Sequence, residues 1–166
     1  MPKRNVFYSF HFKPDSFRTA QVRKMGVLEG NEPALDNDWE EVKRGGDRAI
    51  QNWIDGQLKG KSCAIILVGQ NTAGRKWIKY EIKKAWDERK GVVGIHIHNL
   101  KDHNQRQASK GKNPFETFTI KSDKRKLSNI VKCYDVNSTD SRVVYNTIQN
   151  NLSKWIEEAI KIRNDC

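Results

Sequence analysis

The chain has 166 residues, and its 31 lysines and arginines outnumber its 20 aspartates and glutamates, which gives a formal net charge of +11. Apolar residues make up 36%, less than in an average globular domain, so we expect one domain over residues 1–166 with a highly charged surface around its core. No segment resembles a signal peptide or is long enough to cross a membrane, which favours a cytoplasmic protein that does not bind membranes.

The basic residues are spread from Lys3 to Arg163 rather than concentrated in one stripe. This distribution favours general solvation with mild attraction of a phosphate-bearing ligand, and nucleic-acid binding is the less favoured alternative. The three cysteines lack metal or disulfide spacing, and Cys63 and Cys133 lie in apolar runs that predict reduced, buried thiols. The chain has no glycine-rich phosphate loop, which argues against a Rossmann dehydrogenase or a P-loop ATPase.

The first part of the chain begins with an aromatic, β-rich run and ends in a helix whose apolar residues keep the helical period. The predicted elements are a strand at 5–10, a loop at 11–16 containing Pro14, a helix at 17–25 capped by Asp15 or Ser16, a short strand within 26–30, a loop at 31–44 with a helical turn near Trp39, and a helix from Gly45 to Gly60.

The second part opens on the most apolar run of the chain, which predicts a buried central strand. The predicted elements are a strand at 63–68, a helix capped by Asn71 or Thr72 and ending near Arg89, a strand at 91–98, a polar insertion at 100–128 anchored by Phe115 and Phe118, a strand at 129–136, and a terminal helix capped by Ser138 or Thr139.

Strands and helices therefore alternate about five times, and the central strands are apolar on both faces. This pattern is typical of a mostly parallel sheet covered by helices on both sides. We predict a flavodoxin-like three-layer α/β fold with about five strands, although alternation alone does not fix the strand order.

The turn after the central strand lies at the carboxyl edge of the predicted sheet, where open α/β folds bind ligands. Trp77 and Glu81 follow it, four residues apart on one helix face, so an aromatic ring and a carboxylate meet there. One carboxylate is enough to stabilise an oxocarbenium-like centre when the leaving group departs neutral. On helix geometry alone, a solvated Glu81 paired with Lys84 is the better interpretation.

Phe10 and His11 end the first strand at the same edge. A flavodoxin-like order places the ends of the first and third strands side by side, so Phe10 is predicted to approach Trp77 and Glu81 and to stack on a flat cationic ring. Core packing for Phe10 and a loop position for His11 are equally good interpretations.

Two other motifs carry weaker hypotheses. His96 and His98 share a strand face with His103 nearby, but a zinc site lacks a fourth ligand, and polar residues facing a ligand crevice fit better. The triplet from Glu81 to Lys83 matches the E-x-K of metal-dependent nucleases, but that motif normally lies on a strand beside a second acid, whereas here it lies within a helix.

Three segments resemble those of TIR domains: residues 6–10, residues 34–36 through 45–47, and residues 77–81 with the pattern W-x-x-x-E. The chain is most similar to the TIR-like sensor subunits of bacterial Thoeris anti-phage systems, with counterparts to residues 6–11, 75–82, 94–97 and 110–115. The resemblance covers most of residues 4–118.

The resemblance implies a TIR fold and cleavage of NAD, as substrate rather than cofactor, between ribose and nicotinamide. It implies Glu81 as the catalytic carboxylate, Trp77, Phe10 and His11 around the nicotinamide, and Asp36 and Asp47 as further substrate-binding residues, with no metal. It also implies that ADP-ribose is cyclised into a signal for a partner effector protein, and it leaves open a phage-derived trigger and a homo-oligomer. A catalytically silent TIR-like scaffold is the alternative, and a nucleic-acid-binding protein or nuclease is the least favoured.

Overall fold

The computed structural model of the chain describes residues 4–25, 29–30, 42–121 and 124–166. Its five strands are β1 (Asn5–Ser9), β2 (Glu29–Gly30), β3 (Cys63–Val68), β4 (Gly91–His96) and β5 (Cys133–Tyr134). They form one sheet in the order β2-β1-β3-β4-β5, and every pairing is parallel. This is the flavodoxin-like order, so the predicted fold class is confirmed.

The helices are α1 (Phe12–Arg23), α2 (Gly46–Leu58), α3 (Lys76–Asp87) and α4 (Ser141–Asn164), with a 3₁₀ turn at Leu127–Asn129. The strand order reverses between β1 and β3, and right-handed crossovers therefore place α1 and α3 on opposite faces of the sheet. One buried layer contains residues of α1 and α4, and we call it the α1 layer. The other contains residues of α2, α3 and the insertion, and we call it the α3 layer.

Successive side chains of β1, β3, β4 and β5 alternate between the two layers. In β1, Val6 and Tyr8 belong to the α1 layer and Phe7 to the α3 layer. All six residues of β3 are completely buried, as their β-branched and aliphatic side chains predict. No described helix is both long enough and apolar enough to cross a membrane.

Helix α1 begins at Phe12, so the predicted loop at 11–16 and the cap at Asp15 or Ser16 are wrong. Pro14 lies in the first turn of α1, where backbone N–H groups have no partner within the helix, so its missing N–H costs nothing there. The first i to i−4 bond runs from Asp15 N to the His11 carbonyl, at 3.1 Å.

Helix α3 begins later than predicted, with Arg75 as its N-cap residue and no capping side chain. Thr72, one of the two predicted caps, instead accepts a hydrogen bond from the Gly69 amide at 2.8 Å and closes the turn after β3. The N-cap residue of the terminal helix α4 is Asp140 rather than Ser138 or Thr139. Its carboxylate accepts a hydrogen bond from the Arg142 amide at 2.9 Å. The predicted strands at 91–98 and 129–136 shorten to β4 and β5.

The insertion is anchored as predicted, because Phe115 is completely buried and Phe118 packs against the α3 layer. Gly111 lies against the turn after β3, so that a Cβ there would sit 2.1 Å from the Gly69 carbonyl oxygen. All three cysteines are free, with Cys63 buried and Cys133 half-buried. The predicted turn near Trp39 lies outside the described residues.

Candidate active site

Glu81 is a residue of α3, and its side chain is buried between this helix and the end of β1. Its exposed fraction is 7%, and it shares the buried stripe of α3 with Ile78, Ile82 and Ala85. The Ser9 hydroxyl, on the last residue of β1, donates a hydrogen bond to Oε2 of Glu81. The interpretation of Glu81 as a solvated partner of Lys84 is wrong, since Lys84 instead pairs with Glu88 at 3.7 Å.

Burial raises the pKa of Glu81 from 4.5 to about 8, and the hydrogen bond from Ser9 opposes part of that rise. The cause is desolvation, because a carboxylate removed from water is less stable than the neutral acid. At neutral pH this carboxyl is therefore mostly in its neutral, protonated form. Raised carboxyl pKa values of this kind are concentrated at functional sites.

Trp77 lies one helical turn before Glu81, half-buried against the α3 layer. Its ring meets that of Tyr80 edge-to-face at 5.7 Å, and the Tyr80 hydroxyl donates to Asp55 of α2 at 2.8 Å. The Lys76 ammonium lies 4.8 Å from the Trp77 ring centroid and pairs with Asp47 at 2.5 Å. The structure therefore brings Asp47 close to Trp77 through Lys76, and Asp36 lies outside the described residues.

Phe10 packs against the α1 layer, whereas Trp77 packs against the α3 layer. The pleat of β1 turns neighbouring residues to opposite faces of the sheet, so Phe10 and Trp77 pack in different layers, and the approach of Phe10 to Trp77 and Glu81 stays a prediction. Ser9 is the β1 residue that meets Glu81. Sequence reasoning missed Ser9, although a serine among buried strand residues is a signal that marks it.

His11 is the N-cap residue of α1 at the same edge of the sheet, and it is half-buried. Burial lowers its pKa, and the nearby positive charge of Arg75 lowers it further, so the imidazole is neutral at physiological pH. Within the described part of the chain, its buried Nδ1 has no hydrogen-bond partner.

His96 and His98 are both buried at the carboxyl end of β4, with their rings 5.7 Å apart. Burial lowers the pKa of His96 to about 4 against an opposing effect of Asp135, and it also lowers the pKa of His98. No group of three or more metal-binding side chains occurs among the described residues. Lys83, the third residue of the E-x-K match, extends into solvent and pairs with Asp87 instead of facing Glu81.

Comparison with known proteins adds two findings to this geometry. Residues 7–102 match the family described as Thoeris protein ThsB, TIR-like domain. A Bacillus cereus (strain MSX-D12) protein named "Putative cyclic ADP-D-ribose synthase ThsB1" is 36% identical over 134 residues, covering 76% of this chain and 69% of that protein.

Proposed function

The chain belongs to the family of TIR-like domains of the Thoeris protein ThsB, and on that premise we propose that it cleaves NAD between nicotinamide and ribose. The observation that supports the proposal is the buried carboxyl of Glu81, bonded to Ser9 and one helical turn from Trp77. Within the described residues, this carboxyl has the chemistry that the reaction requires.

The bond to be broken joins the ribose C1′ to a positively charged pyridinium nitrogen. Nicotinamide leaves as a neutral molecule with the bonding electron pair, so no acid has to protonate it. Positive charge then develops on the ribose ring, and a carboxylate beside C1′ stabilises it. Glu81 supplies this carboxylate, and the same burial that raises its pKa strengthens its attraction for a cation.

The substrate also sets the protonation state of the site. An approaching pyridinium cation favours ionised Glu81, so NAD binding lowers the pKa of this group and releases its proton to solvent. The Ser9 hydroxyl holds the carboxylate in one orientation, and we assign Ser9 as a positioning residue. Without substrate the buried carboxyl is neutral, which avoids the cost of a buried charge, and it ionises when the cationic substrate binds.

Further substrate contacts are proposed for five other residues. Trp77 forms an aromatic wall for nicotinamide, and Lys76 and Asp47 fix the position of its ring. His11 offers a neutral imidazole at the end of β1. Phe10 and Asp36 complete the proposed set.

The second half of the reaction joins C1′ to a nucleophile of the same ADP-ribose, which yields a cyclic product containing one water less than ADP-ribose. The name of the Bacillus cereus relative supports this outcome. We propose that the cyclic nucleotide signals to a partner effector protein in anti-phage defence and that a phage component triggers its synthesis.

The test is nicotinamide release from NAD by the wild type, Glu81→Gln and Glu88→Gln, each with and without lysate of phage-infected cells. Glu88 is a matched control because it is an exposed glutamate at the C-cap of the same helix, where it pairs with Lys84. We expect Glu81→Gln to lower release at least about 100-fold, in the range of lost oxyanion-hole-type stabilisation, and Glu88→Gln to change it less than about two-fold.

Mass spectrometry of the product distinguishes cyclised from hydrolysed ADP-ribose. Release that survives Glu81→Gln would contradict the catalytic assignment. Absence of release from the folded wild type under every condition would favour a silent TIR-like scaffold, in which the Glu81–Ser9 bond merely joins α3 to β1.

A further inference from the structure

A cavity lies at the C-terminal end of α3, where the helix meets the insertion. Its volume is about 400 Å³. One wall is the last part of α3, and the other is formed by residues 118–121 and Leu127, beside the antiparallel bridge between Thr119 and Lys126. The cavity is lined by Lys83, Trp86, Asp87, Phe118, Thr119, Ile120, Lys121 and Leu127.

The interior of this cavity is apolar and includes two aromatic rings. Trp86, Phe118, Ile120 and Leu127 supply most of its walls. The Trp86 ring is held in place by Arg163, whose guanidinium carbon lies 4.2 Å from the ring centroid. A volume of about 400 Å³ lies at the lower end of the range for small-molecule sites, and the aromatic rings of Trp86 and Phe118 in the lining suit a planar ring.

The charge of the cavity is positive at its mouth. Lys83 is neutralised by Asp87 at 2.5 Å. Lys121 is exposed, and no described residue forms a hydrogen bond or ion pair with it. A ligand with one negative group at its rim would meet Lys121 while its ring entered the apolar interior.

We propose that this cavity is a binding site for a small planar organic anion, a ring system carrying one carboxylate, sulfonate or phosphate. The site is distinct from the proposed NAD site. Trp86 follows Glu81 by five residues, a distance of about 7.5 Å along the helix axis, in the direction away from the carboxyl edge of the sheet. The proposal does not depend on NAD cleavage, because binding alone tests it.

The probe is 8-anilinonaphthalene-1-sulfonate, which combines an aromatic body with one sulfonate, titrated by fluorescence against the folded protein. We expect one saturable site. Lys121→Glu and Ile120→Asp should each weaken binding at least about ten-fold, since the first reverses the rim charge and the second places a charge in the apolar wall. Lys132→Glu, an exposed lysine outside the cavity, should leave binding unchanged.

Two further ligands separate the contributions of ring and charge. The neutral N-phenyl-1-naphthylamine should bind at least about five-fold more weakly, and inorganic phosphate alone should not displace the probe. If a cavity variant does not fold, the indole N–H signal of Trp86 in the wild type, assigned with Trp86→Phe, should shift on addition of the probe. A Trp86 signal that does not move, or probe affinity equal in the wild type, Lys121→Glu and Ile120→Asp, would overturn the proposal.

Discussion

The burial of Glu81 predicts a specific pH dependence of stability, which Glu81→Gln isolates. Glutamine keeps the size of the side chain and the hydrogen bond with Ser9 but cannot ionise. The folded protein raises the pKa of Glu81 from 4.5 to about 8, so between these values the folded state binds this proton more tightly than the unfolded chain does. The stability of the wild type relative to Glu81→Gln therefore falls as pH rises through this window.

The size of the effect follows from the same two pKa values. Each unit of difference corresponds to about 1.4 kcal/mol, so the full shift from 4.5 to about 8 amounts to about 5 kcal/mol of unfolding free energy. Below pH 4.5 both states hold the proton, and the two proteins should differ by a constant. Above about pH 8 the folded wild type carries a buried charge, and the difference should level off at its largest value.

The assay is urea unfolding of both proteins across about pH 5 to pH 9, with the difference in free energy plotted against pH. His96, His98 and the other titrating groups occur in both proteins, so their contributions cancel in the difference. We expect a slope near 1.4 kcal/mol per pH unit between about pH 5 and pH 8. A flat difference would show that Glu81 titrates as an ordinary exposed carboxyl, which would refute the electrostatic basis of the proposed site.

Three further predictions follow from the same contacts. If ionised Glu81 is the reactive form, kcat/KM for NAD should rise with pH to a plateau above about 8. The plateau of kcat should be reached at lower pH, because the bound cation favours the carboxylate. A pH profile that is flat between pH 6 and about pH 9 would contradict this assignment. Ser9→Ala removes the hydrogen bond that lowers the pKa of Glu81. Initial-rate measurements should therefore find kcat lowered about 10-fold or more and the rising limb of the kcat/KM profile moved to higher pH. A loss of rate without this movement would mean that Ser9 acts only through packing. Gly111→Ala places a Cβ 2.1 Å from the Gly69 carbonyl oxygen and should destabilise the fold by about 1–3 kcal/mol in urea unfolding. The control Gly74→Ala meets nothing within 4 Å and should change stability by less than about 0.5 kcal/mol. Equal effects of the two substitutions would contradict the packing described.

The parts of the fold that the sequence predicts well are those with strong local patterns. The apolar run of β3 and the helical period of α2 reappear with their bounds nearly unchanged. The errors occur where one local signal has two structural meanings. Pro14 indicates a loop in isolation but is tolerated in the first turn of α1, and Thr72 has the chemistry of an N-cap but closes the turn after β3.

The sequence predicts the helix half of the candidate site but not the strand residue that meets it, because that contact depends on the sheet topology. Trp77 and Glu81 share a helix face by spacing alone. Whether α3 meets Ser9 or Phe10 depends on which face of the sheet the helix covers, and this is decided by the crossover after β3, far from β1 in the chain. Once the strand order is known, right-handed crossovers place α3 on the Ser9 side. The cavity between the end of α3 and residues 118–121 has no local signal in the sequence, because its walls come from two distant segments.

The position of Glu81 within α3 gives a physical reason to regard it as functional. The buried stripe of this helix otherwise consists of Ile78, Ile82 and Ala85, and an aliphatic residue at position 81 would avoid the desolvation of a carboxyl. A single acid within an apolar stripe breaks the local rule for helices, and such exceptions are expected at working sites. The free energy of about 5 kcal/mol that opposes ionisation is recovered only when a positive charge arrives beside the carboxylate. In the proposed reaction, nicotinamide leaves as a neutral molecule and the positive charge passes from its pyridinium ring to the ribose as the bond breaks. A cation therefore stays beside the carboxylate through the transition state, and the burial that disfavours the empty anion would favour this reaction.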